Sequence, residues 1–282
     1  MRYSRTGIIA VLIAAELFIA SIIIVSAGGL KTFTAMGDAH GFSNMSYAFP
    51  AIDAGDRPHI VIDDADSSVT VRASSDGKVH VTDTKHMHGW GSAPARLQVQ
   101  KTGDGVLIER PVAASGSTMM FGMEFGGTLV EIPAGATLEI RNASGADVSD
   151  LSGTVAIHSD DGHISATNVH TADLSLTTAD GHISLTDVQA DKLNAVTSDG
   201  AIRVSNLRVR NGVLHTSDGS IGIGFADAGD VTVRAQTGDG SIRMNGIRQD
   251  GSPVEYKFGN GSGTLDVATQ DGSIRVNTNG AD

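Results

Sequence analysis

The sequence predicts an all-β fold: a single-stranded parallel β-solenoid with rungs of about 19 residues, preceded by one N-terminal transmembrane helix. Three observations carry this expectation. An Asp-Gly turn recurs at Asp161-Gly162, Asp180-Gly181, Asp199-Gly200, Asp218-Gly219, Asp239-Gly240 and Asp271-Gly272, at spacings of 19, 19, 19, 21 and 32 residues. Two positions after each glycine stands an isoleucine: Ile164, Ile183, Ile202, Ile221, Ile242 and Ile274. Around every turn, residues alternate with period two, which is the pattern of a strand with one buried face. A unit of about 20 residues cannot bury its own apolar face, so it must stack on its neighbours.

The elements are taken in order from the N-terminus. Residues 1–6 carry Arg2 and Arg5 and are expected in the cytoplasm. Residues 7–27 are apolar except for Glu16, Ser21 and Ser26. About 20 such residues span a bilayer as a helix, and preceding positive charge keeps that end inside. The segment is expected to be a retained signal-anchor, with the rest of the chain extracytoplasmic, in the periplasm or at the cell surface. A cleaved signal peptide is the alternative, with Val25-Ser26-Ala27 as its small-residue cleavage site. Glu16 is read as a tolerated acid in a single span, or else as a helix–helix contact. Residues 28–50 mix glycine, serine and asparagine without a period and are expected to be a tether.

From residue 51 to 282 the strand pattern predicts one solenoid domain. Short β runs at residues 60–62, 69–71, 79–81, 97–99 and 106–108 precede the regular rungs, and Ser144-Gly145 reads as a degenerate first turn. Counting from each turn glycine, position −7 holds Val155, Leu174, Leu193, Gly212, Val233 and Leu265. Position −5 holds Ile157, Leu176, Ala195, Leu214, Ala235 and Val267, and position +4 holds Ala166, Leu185, Val204, Ile223, Met244 and Val276. Position −3 is Ser159 and then threonine at 178, 197, 216, 237 and 269. Each rung thus reads as strand, turn, strand and short return. The turn glycine is expected for a positive φ, and the aspartate for a hydrogen bond within its own turn. Asp-Gly between alternating runs also signals a hairpin, so an antiparallel meander is the rival fold. The fixed period favours the parallel stack.

Composition bounds the function. The net charge is −12, with no basic patch, which argues against a nucleic-acid partner. Cysteine is absent, so disulfide and thiol chemistry are excluded.

The run Val-Glu-Ile-Pro-Ala-Gly-Ala-Thr-Leu-Glu-Ile over 130–140, the Ser144-Gly145 turn, and the repeated Ser/Thr-x-Asp-Gly-x-Ile rungs resemble a bacterial "putative adhesin" family of unknown function. The resemblance covers residues 51–282. It implies a β-solenoid behind one membrane helix and a role at the cell envelope. It supplies no catalytic residue.

Four groups of residues are candidates for chemistry. The aspartates of the six turns would stack about 5 Å apart, a spacing at which a hard cation relieves repulsion. The favoured reading is six solvated turn aspartates. His163 and His182 share the position after the turn, with His158, His170 and the pair His86 and His88 elsewhere. Paired imidazoles bind zinc or copper, but these lack carboxylate or thiolate partners and read as surface residues. Arg203, Arg243 and Arg275 share the outward position +3, with Arg208, Arg210, Arg234 and Arg248 in the same half. They either pair with aspartates on neighbouring turns, the favoured reading, or hold an anionic glycan. Lastly, the irregular segments 111–128 and 247–263 are expected to carry recognition or, for the first, to cap the open end of the stack.

No nucleophile elbow, phosphate loop or zinc-protease motif is present in the sequence. No catalytic, cofactor-binding or metal-binding residue is therefore assigned. The expected function is a non-enzymatic, membrane-tethered envelope protein that presents its solenoid to an envelope protein or glycan. The alternative is a polysaccharide-modifying solenoid enzyme, which convergent acids near residues 85–127 would favour.

Overall fold

Alternating apolar residues turn every element into a strand, and the strands join one sheet of twenty. The computed structural model describes residues 22–26, 29–34, 42–90, 96–111, 121–226 and 230–278. In chain order, β1 (Ile22–Ser26), β2 (Gly29–Thr34) and β3 (Phe42–Ala48) pair antiparallel in succession. This differs from the expected helix at its last residues and from the expected tether. Ile22 to Val25 are β-branched and suit a strand as well as an apolar helix. Residues 7–21, the bulk of the expected membrane segment, lie outside the described residues. Among the described residues no helix is long and apolar enough to cross a membrane.

The solenoid begins with β4 (His59–Ala73), β5 (His80–Trp90), β6 (Gln98–Lys101), β7 (Gly105–Glu109), β8 (Phe121–Ile132) and β9 (Thr137–Ser149). It continues through β10 (Val155–Ser159), β11 (Ile164–Thr178), β12 (Ile183–Val196), β13 (Ile202–Thr216) and β14 (Ile221–Phe225). The C-terminal strands are β15 (Val231–Thr237), β16 (Ile242–Met244), β17 (Ile247–Arg248), β18 (Val254–Phe258), β19 (Gly263–Thr269) and β20 (Ile274–Thr278).

The regular rungs pair in parallel at a shift of 19 residues, so Ile164, Ile183, Ile202 and Ile221 are successive partners. The strands flanking an Asp-Gly turn pair with neighbouring rungs, which rules out the meander. All six isoleucines of the column are at most 1% exposed. The return is itself a strand: Val169 pairs with Val188 and Ala190 with Val209, giving each regular rung a third side.

The order of rungs in space is not their order in sequence. At the C-terminal end, β13 and β14 pair with β19 and β20, and these in turn pair with β15 and β16. The last Asp-Gly rung is therefore inserted between the two that precede it. The N-terminal end shows the same exchange, since β4 lies between β7–β8 and β9. Both ends are closed by antiparallel strands. β6 covers β7 and β5 covers β8 at one end, while β18 covers β15 and β17 covers β16 at the other. Segment 247–263 is therefore the cap of the C-terminal end, with Phe258 buried beside Phe225 and Tyr256. Of segment 111–128, residues 112–120 lie outside the described residues and the rest enters β8.

The turns work differently from the expectation. Positive φ is found at other glycines, such as Gly77 and Gly246, and not at the stacked turn glycines. A Cβ on Gly181, Gly200 or Gly219 would instead overlap the carbonyl oxygen of the glycine one rung earlier. Glycine is needed because turns stack backbone on backbone. The turn aspartates are exposed and their carboxylates make no hydrogen bond among the described residues. The buried threonine at −3 does that work. Thr197 Oγ1 accepts from Gly200 N at 3.2 Å and donates to Gly181 O at 2.9 Å. Thr178 and Thr216 repeat the pattern.

A further column, unpredicted, makes the next corner. Asp150, Asn168, Asp187 and Asn206 have φ between 54° and 60°. Asparagine and aspartate tolerate this left-handed region better than other side-chain-bearing residues. Their side chains also ladder, with Asn168 Nδ2 2.6 Å from Asp150 Oδ1 and Asn206 Nδ2 2.7 Å from Asp187 Oδ1.

Candidate functional site

Position +3 faces outward on the strand after each turn, and strand pairing lines these residues up across the rungs. The register runs Asp147, Ser165, Ser184, Arg203, Gly222, Arg275, Arg243, Arg248 on successive strands. The inserted last rung is what puts Arg275 beside Gly222 and ahead of Arg243. Strand spacing of about 4.8 Å sets the neighbours' separation and puts Arg203 about 10 Å from Arg275 across Gly222.

This column floors an open groove of about 640 Å³, lined among others by Arg203, Gly222, Arg275, Arg243, Ser205 and Ser220. Arg203 and Arg275 are exposed and Arg243 is half-buried. Like charges placed opposite one another on a sheet oppose its stability. Among the described residues these three guanidiniums form no ion pair and no hydrogen bond. Other arginines of the chain do: Arg72 with Glu131 at 2.8 Å, Arg141 with Glu139 at 2.8 Å, and Arg234 with Glu255 at 3.2 Å. Arg210 lies 3.5 Å from Asp191. The expected pairing of the +3 arginines with turn aspartates is therefore not what forms. The surface they make is a cationic groove on a chain of net charge −12.

The turn aspartates stay exposed, each on its own turn, and the described residues contain no group of three or more metal-ligating side chains. His163 and His182 do stand on adjacent rungs, exposed. His182 Nδ1 accepts the Ala201 N–H at 3.0 Å, which occupies one ring nitrogen. His158 lies 3.5 Å from Asp160 at the surface, apart from the other two. His86 and His88 fall on β5 rather than in a loop, and their side chains lie outside the described residues.

A second charged cluster escaped the sequence reading. Arg110 is buried and bridges two carboxylates. Its Nε lies 2.7 Å from Asp64 Oδ1, and one terminal nitrogen lies 2.7 Å from Asp83 Oδ1. Thr128 Oγ1 donates to Asp64 Oδ2 at 2.7 Å, and Lys85 Nζ donates to Ser67 Oγ at 2.9 Å. Burial disfavours the charged guanidinium, but the two carboxylates outweigh it and hold Arg110 above the usual arginine range. The signal was present as parity. Asp64 continues Ile60 and Ile62, Arg110 continues Val106 and Ile108, and Asp83 and Lys85 continue Val79 and Val81, all on the inward phase. The enzyme alternative looks to acids near residues 85–127; Asp64 and Asp83 lie outside that stretch, both are engaged by Arg110, and Asp64 is fully buried. The cluster ties β4 and β5 to the residue that follows β7.

The chain is similar to several solved structures at low identity. One is a "putative adhesin" from Bacteroides fragilis, 12% identical over 84% of this chain and 96% of that one, with a TM-score of 0.46. A "putative lipid binding protein" from Parabacteroides distasonis is 11% identical over 84% and 96%, with a TM-score of 0.43. A "putative cell adhesion protein" from Clostridium sporogenes is 8% identical over 84% and 100%, with a TM-score of 0.34. No curated protein matches the chain. The family comparison is more specific: residues 146–277, which contain the turn-and-isoleucine rungs and the arginine column, match the family model Toastrack DUF4097.

Proposed function

We propose that this is a non-enzymatic protein of the cell envelope, tethered by residues 7–27, whose solenoid presents the arginine-lined groove as its interaction surface. The observation that carries the reading is the set of guanidiniums of Arg203, Arg275 and Arg243, aligned over a groove without partners among the described residues. A sheet that only needed solubility would be better served by the mixed pairs seen on its other faces. The family match over residues 146–277 supports a solenoid and supplies no partner. Arg110 engages both neighbouring carboxylates, buried Asp64 and half-buried Asp83, which supports a role without catalysis.

The test is cross-linking in living cells. A photoreactive amino acid at Ser220, in the groove, is compared with one at Asp173, on a different side of the rung. Adducts to an envelope component from position 220 and not from 173 are expected. Equal adducts from both, or none from either, would remove the groove as the interaction surface.

A further inference from the structure

Gly222 is the one member of the +3 column between Ser184 and Arg248 without a side chain, and neither backbone nor packing explains it. It does not adopt a positive φ, and a Cβ built there meets nothing within 4 Å. The turn glycines contrast with it, since a Cβ on any of those in the regular rungs runs into stacked backbone. A Cβ has room at 222, and a side chain carried on it would enter the groove between Arg203 and Arg275. The missing side chain leaves a gap about 10 Å long, set by two strand spacings, with a guanidinium at each end and a third one strand beyond.

We infer that this gap is a binding subsite for an anionic polysaccharide, seated along the solenoid axis with its acidic groups on Arg203 and on Arg275 and Arg243. The inference rests on the reading of this face as the interaction surface. Guanidinium forks match carboxylate, sulfate and phosphate oxygens in two-point contacts. Between them the groove offers the hydroxyls of Ser205, Ser220 and Ser273, which suit the hydroxyl-rich stretches of a sugar chain. Among the described residues no aromatic side chain lines the groove, so it lacks the stacking platform by which single-stranded nucleic acid is held. The net charge of −12 opposes dense polyanions and anionic membranes at long range. A sparsely charged glycan is repelled less and still reaches the arginines.

The test uses the full chain in detergent micelles and a fluorescent hyaluronan oligosaccharide, in which uronic acids alternate with neutral sugars, read by anisotropy. Neutral dextran and vesicles of anionic phospholipid are run beside it. Uronate binding that fades with added salt is expected, with no binding of dextran. Gly222→Glu places a carboxylate in the gap without a clash and should weaken uronate binding at least 10-fold at unchanged melting temperature. Arg275→Gln should do the same, whereas Arg141→Gln, on a paired arginine elsewhere, should not. The proposal is overturned if wild type ignores uronate at low salt, or if binding survives both Gly222→Glu and Arg275→Gln. Binding of vesicles alone also overturns it and assigns the arginines to lipid headgroups. Loss of the glycan with cross-links still forming at position 220 would remove this ligand and leave the interaction surface standing.

Discussion

Glycine serves two unrelated purposes on adjacent rungs, and a single methyl group separates them. At Gly200 a Cβ would overlap the carbonyl of Gly181, while at Gly222 it would meet open space. Gly200→Ala must push two stacked turns apart and strain the Thr197 hydroxyl that joins them. It should cost on the order of 2–4 kcal/mol, the range of strained core changes, while Gly222→Ala should stay within about 0.5 kcal/mol of wild type. Denaturant midpoints at equal slope decide this, and equal stability of the two variants would refute the stacked-turn account. The column was legible in the sequence, but the reason for it was not. A positive φ and a backbone collision both select glycine, and only geometry tells them apart. The corner made by Asn168, Asp187 and Asn206 was legible too, as polar residues 19 apart. It was not predicted because an asparagine or aspartate in the left-handed region looks, in sequence, like any other exposed polar residue of a strand.

Strands of this solenoid choose partners by column, and columns do not encode neighbour order. The β14, β16 and β20 rungs carry the same Ile at +2 and threonine at −3, so the local pattern suits any stacking sequence among them. The segment C-terminal to each rung settles the order. β18 folds back antiparallel on β15 and buries Phe258, which commits the β15 rung to the end of the stack. The β19–β20 rung must then fill the place between. The long 32-residue interval was the visible trace of this, though it reads equally as a plain insertion. The groove depends on it, since sequence order would set Arg243, not Arg275, beside Gly222. Because the chain has no cysteine, introduced thiols report the order directly. Residues 215 and 268 are register partners on adjacent strands, and 268 is also the partner of 236. His215→Cys with Ala268→Cys should close a disulfide on mild oxidation, as Cα atoms about 5 Å apart allow. His215→Cys with Gln236→Cys, two strands apart, should not. The reverse result would restore sequence order and dissolve the groove as described.

At the scale of the whole molecule, the N-terminal strands and a membrane anchor compete for the same residues. A helical span needs about 17–25 residues, and residues 7–21 number only fifteen (21 − 7 + 1). Residues 22–26 are required to reach the far side, yet they pair with β2 as β1. Where a bilayer is present, residues 22–26 should complete the span as helix and leave β2. β1 would then be given up together with its pairing to β2. Arg2 and Arg5 would orient that span with the solenoid outside. Protease added to spheroplasts should therefore cut the solenoid's connecting segments while a cytoplasmic control stays whole, and the mature chain should keep its native N-terminus. Protection until lysis would reverse the topology. A mature protein starting at Gly28 would mean the segment is removed on export, leaving β2 as the free edge of the antiparallel sheet and the envelope location without an anchor.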